Sequence, residues 1–111
     1  MTLPFPVDTV TLECQPVEWV DVVCGISFRV IILEKKGHVV PQHHHDSYDH
    51  ATFIGSGSAA LWVNNVFVGV IRKGKAIEIK AGDEHLWQAQ EDGTLLACIT
   101  NAEAASKTLS A

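Results

Sequence analysis

The strongest constraint on this chain is the rhythm of its turn signals. Short segments rich in Val, Ile, Phe, Trp and Thr alternate with Gly, Asn and Asp at intervals of about ten residues, the pattern of an all-β sandwich or barrel. The segments read as strands are 7–12, 17–23, 27–33, 39–45, 52–54, 59–63, 66–71, 76–79, 85–90 and 94–100. Cys24-Gly25, Lys36-Gly37, Gly74, Ala81-Gly82-Asp83 and Glu91-Asp92-Gly93 separate them. Asn64-Asn65 predicts a two-residue hairpin, because asparagine tolerates positive φ. Roughly eight to ten strands follow, with little support for helix. The tail over 101–111 is polar and alanine-rich, suited to one helical turn or to fraying.

A length of 111 residues predicts one domain over 1–111, since a second core would leave each half near the limit of independent stability. A 47% hydrophobic and 19% charged composition describes a soluble core former, and no apolar run approaches the roughly 20 residues of a membrane helix. The opening MTLPFPVDTV lacks a secretory pattern, so a cytoplasmic location is expected. Cys14, Cys24 and Cys98 form no C-x-x-C pair and are expected as buried, reduced thiols. A net charge of −5 argues against nucleic-acid binding, and the basic residues at 35–36 and 72–75 flank glycines as turn residues do.

The chemistry is concentrated in histidines. In an extended strand Val39, Pro41, His43 and His45 share one face, while His38 and His44 point the other way as surface groups, with His44 a candidate outer partner of the site. His50 has the wrong parity for that face unless Asp46-Ser47-Tyr48-Asp49 breaks the strand. His85 comes from a distant segment, and barrel closure is the way to bring it alongside. Imidazole suits Fe, Zn, Ni, Mn or Cu, and four neutral ligands would leave the ion's positive charge free to act on bound water, an anion or dioxygen.

These residues resemble the two signature motifs of the cupin superfamily. Gly37, His43, His45, His50 and Gly57 occupy the first motif with its spacing, histidine standing at 50 in place of glutamate. Gly74, Lys80, Gly82, His85 and Ala89 match the spacing of the second and keep its two glycines and histidine. The motifs cover 37–57 and 74–89. The resemblance implies a jelly-roll β-barrel holding one divalent transition metal per chain on His43, His45, His50 and His85. It also implies a homodimer, often formed in that superfamily through an N-terminal strand, here within 1–30. Replacing glutamate removes a carboxylate-dependent proton shuttle. Lys80 and Ala89, in place of proline and asparagine, bear on turn rigidity more than on chemistry. Asp46 and Asp49 lie nearby, in the predicted turn.

Period-two alternation places Trp87 beside His85, and Thr52 and Ile54 beside His50, as candidate walls of a substrate pocket. No arginine or lysine falls on these faces, so a small, largely uncharged or chelating molecule is the expected ligand, and an anion would be held chiefly by the metal. Superfamily members with three histidines and no carboxylate include ferrous dioxygenases acting on thiols, β-diketones and gentisate. The leading expectation is therefore a mononuclear metalloenzyme acting on a small chelating organic substrate, dioxygenase-like by analogy. The alternative is a noncatalytic metal-binding or small-ligand-sensing module.

Overall fold

The computed structural model describes residues 17–44 and 48–101, with the side chains of 17–19 left aside. The predicted strand at 7–12, His45, Asp46 and the tail beyond Asn101 lie outside the described residues, as does Cys14. Within them run β1 (Val17–Val23), β2 (Ile26–Leu33), β3 (Val39–His43), β4 (His50–Ser56), β5 (Ser58–Val63), β6 (Val66–Arg72), β7 (Ala76–Ile79), β8 (His85–Ala89) and β9 (Thr94–Asn101). They form an antiparallel five-stranded sheet, ordered β1-β2-β9-β4-β7, and a four-stranded sheet, ordered β3-β8-β5-β6. This is the expected all-β jelly-roll barrel. No helix among the described residues is long and apolar enough to cross a membrane.

Local chemistry sets the turns. Asn64 and Asn65 have φ of 50° and 66°, the doubly left-handed conformation that a tight hairpin between β5 and β6 requires. Cys24-Gly25 does the same between β1 and β2, with φ of 52° at Cys24. Cys24 is therefore exposed, contrary to the expectation of a buried thiol, because the turn holds it outside both sheets. Cys98, on β9, is partly buried. Gly57, at φ 71°, also lies where a Cβ would stand 2.4 Å from Thr94 Oγ1 and 2.9 Å from Thr94 Cα. Glycine is required there on two grounds.

The core lies between the sheets. Ile31, Leu33, Ile54, Ile79 and Leu96 meet Val40, Ala59, Leu61, Trp87 and Ala89 in one buried cluster. Val39, Ala60, Trp62 and Leu86 form a second, on the opposite face of the four-stranded sheet, with Phe67 and Val70 against it. Val39 thus packs away from the barrel interior while Val40 packs into it. The register between β3 and β8 slips between Val40 and His43, and this bulge reverses the parity of the strand. The predicted shared face of Val39, Pro41 and His43 is thereby corrected: Pro41 is exposed, and His43 follows Val40 inward.

Candidate metal centre and pocket

His85 opens β8 directly after the turn through Gly82, and its alternate neighbours on the same strand face, Trp87 and Ala89, belong to the core. It is 2% exposed. The β3 bulge sets His43 opposite His85, with ring centroids 4.2 Å apart. His50 opens β4 on the facing sheet, 5% exposed, its ring 5.1 Å from that of His85. Three of the four predicted ligands therefore gather at one end of the barrel, from three strands and both sheets. His44 is exposed and His38 is half-buried, accepting a hydrogen bond at Nδ1 from the Lys35 N–H at 3.3 Å.

Hydrogen bonds set the tautomers. His85 Nδ1 lies 3.0 Å from the Asp83 carbonyl and His43 Nδ1 lies 2.8 Å from the Pro41 carbonyl. A carbonyl oxygen only accepts, so each Nδ1 carries the proton and donates, and in the neutral ring the lone pair is on Nε2. This second interaction is the one that fixes ring orientation in metal-bound histidines. Burial holds His85 below its ordinary pKa, with the Asp83 carbonyl opposing and the neighbouring His43 and His44 adding to the depression. A depressed pKa favours the neutral, ligating ring.

Asp49 serves the frame of the site. Its carboxylate accepts the Ala81 N–H at 2.7 Å and lies 4.0 Å from Lys80 Nζ, while its carbonyl accepts the Thr100 hydroxyl at 3.0 Å. These contacts tie the start of β4 to the turn before His85 and to β9. Gln42 and Glu84 are hydrogen-bonded across the outer side of the β3–β8 pair.

The donor set suits a transition ion. An imidazole bound at about 2.1 Å has its centroid roughly 3.2 Å from the metal, so adjacent ligands have centroids roughly 4.6 to 5.3 Å apart. The 5.1 Å pair falls within this range and the 4.2 Å pair slightly below it. Among the described residues no group of three or more His, Cys, Asp or Glu side chains is placed so that it could hold a metal ion, and His45 lies outside them.

The predicted walls lie inside the barrel. Trp87 and Ile54 are core residues, and the indole N–H of Trp87 is buried with no hydrogen-bond partner among the described residues. Thr52 is buried, its hydroxyl 3.6 Å from Cys98 Sγ. The expectation that no basic residue shares these faces needs correction. Pairing of Arg29 with Cys98, and of Cys98 with Thr52, puts Arg29 on the same inner face. Sequence reasoning missed it because both faces of β2 are apolar, and the hydrophobic pattern there does not tell inside from outside.

No protein-family model and no curated protein matches the sequence. Solved structures do. KdgF from a Halomonas species superposes with a TM-score of 0.66 at 14% identity, over 88% of this chain and 92% of that one. A cupin-2 domain containing protein from Shewanella frigidimarina gives 0.64 at 18% identity, over 83% and 87%. A cupin superfamily protein from Desulfitobacterium hafniense gives 0.67 at 13% identity, over 89% and 90%. With nine antiparallel strands in two facing sheets among the described residues, and with these neighbours, the chain has the cupin fold.

Proposed function

We propose that this chain binds one divalent transition ion, Fe, Zn, Ni, Mn or Cu, through His43, His45, His50 and His85, and works as a mononuclear metalloenzyme on a small chelating organic substrate. The observation that carries this reading is the pair His43 and His85, adjacent across β3 and β8, each with Nδ1 committed to a carbonyl. When bound, such an ion supplies a Lewis acid that polarises a chelating substrate, with dioxygen as co-substrate in the dioxygenase form of the proposal. The protein's part is to hold the rings neutral and oriented, and to line the cavity with Trp87, Ile54 and Thr52.

One observation favours a noncatalytic metal-binding or ligand-sensing role instead. Among the described residues the inner-face positions of β2 to β9 carry no Asp or Glu, so no carboxylate on these faces is available for proton transfer. Elemental analysis of untagged protein, followed by oxygen uptake with ferrous ion and diketones, thiols or phenols, separates the two readings. Metal at one ion per chain with uptake supports the enzyme; metal without uptake supports the binding module; no metal removes the enzyme and the metal-binding module.

A homodimer is part of the proposal. β1 is an edge strand on which Val20 and Val22 are 49% and 57% exposed, a surface suited to cover by a second copy. Sedimentation showing a monomer at micromolar concentration would remove this element.

A further inference from the structure

We infer that Arg29 is a carboxylate-binding residue of the barrel interior, and that the ligand of this site is a small organic acid held between the Arg29 guanidinium and the histidine cluster. For the ligand's chelating end the inference rests on the metal reading above; for its carboxylate it rests on Arg29 alone.

The register places Arg29. On β2, Ser27, Ile31 and Leu33 alternate with it and are all buried, so this is the strand's inner face. Arg29 pairs with Cys98, and Cys98 with Thr52, in a row running across the five-stranded sheet towards β7. His50 stands two residues before Thr52 on the same face of β4. With strands about 4.8 Å apart and a rise of about 3.4 Å per residue, the Arg29 and His50 backbones are roughly 12 Å apart across the sheet. Tyr48 stands at the histidine end of this row, its ring meeting that of His50 edge-on at 6.3 Å.

The surroundings supply donors without matching acceptors. Arg29 is half-buried, and no described carboxylate is hydrogen-bonded to it or paired with it. A guanidinium has five N–H donors and no acceptor, and removing it from water without an anion is costly. On the facing sheet the buried Trp87 N–H also has no acceptor among the described residues. Among the described residues of β2, β4, β7 and β9, no Asp or Glu falls on this face; on β1 the register pairs Glu18 with Ile31. A carboxylate fits the fork of an arginine in bidentate fashion, and a second oxygen or sulfur on the same small molecule would face the histidines.

The test uses the whole protein, with acetate, pyruvate, succinate and benzoate as probes and their amides as neutral controls, read by calorimetry at up to millimolar concentration. At least one acid is expected to bind and its amide not. Arg29→Gln should weaken that acid by about 10- to 100-fold, with partial recovery in Arg29→Lys and unchanged nickel affinity. No binding of any acid overturns the inference, as does equal binding in Arg29→Gln. Glu18→Gln and Arg29→Gln that lower the melting temperature equally and non-additively would show an internal ion pair, and also overturn it. Arg29-dependent acid binding in a protein that takes up no nickel upholds the inference while ending the metal reading.

Discussion

His43 and His85 stand opposite one another on β3 and β8 with ring centroids 4.2 Å apart, each donating Nδ1–H to the carbonyl two residues before it. This repeated arrangement orients two rings from segments far apart in sequence. Its consequence is a difference between histidines. His43→Ala should weaken nickel or cobalt binding by more than about 100-fold and abolish the metal-dependent rise in melting temperature. His38→Ala, which removes only the acceptor for Lys35 N–H, should leave both unchanged. Equal behaviour of the two variants in calorimetry would contradict the site.

The pH dependence follows from His85. Burial lowers its pKa in the folded protein from the ordinary 6.5, so on acidification the unfolded chain takes up a proton first. Stability of metal-free protein should therefore be constant above that value, as far as this group is concerned, and fall as pH drops from 6.5 through the depressed folded pKa. Metal affinity should decline over the same window, because only a neutral ring ligates. His85→Gln should flatten the slope seen in urea titrations at successive pH values; an unchanged slope would assign it to other groups.

Gly57 closes the corner between β4 and β5. A methyl group there would meet the backbone of Thr94, whose hydroxyl is held by the Ser58 and Glu91 carbonyls at 3.1 and 2.9 Å. Gly57→Ala should cost about 2 to 4 kcal/mol in denaturant unfolding, combining left-handed strain with the clash. Gly25→Ala, with open space around it, should cost only the strain, about 1 to 2 kcal/mol.

Cys24 occupies a left-handed position that asparagine tolerates better, as Asn64 and Asn65 do in the matching hairpin. Cys24→Asn should stabilise the protein by about 0.5 to 1 kcal/mol. It should also remove an exposed thiol that reacts readily with maleimide or aromatic disulfides, leaving only slower labelling of the described cysteines.

Strand positions were legible because their signals are local. Turn residues such as Asn64-Asn65 and Gly82 report a backbone conformation directly, and β1 and β7 have the bounds that β-propensity predicts. His43, His50 and His85 were recognisable as a set from spacing between glycines. His45 lies outside the described residues.

Other features depended on pairing. Alternation through Val39, Pro41 and His43 predicted one face, but the bulge between Val40 and His43 reverses it, and nothing in those residues signals a slip made against β8. In Ser27-Phe28-Arg29-Val30-Ile31-Ile32-Leu33 both alternating sets are mostly apolar, so only the neighbours on β9 determine that Arg29 faces inward. The sequence by itself determined where the chain extends and turns, because φ preferences and side-chain shape act within a few residues. Which face each strand buries, and therefore which side chains share the interior with the histidines, was decided by the tertiary structure, because inside and outside exist only once two sheets close on each other.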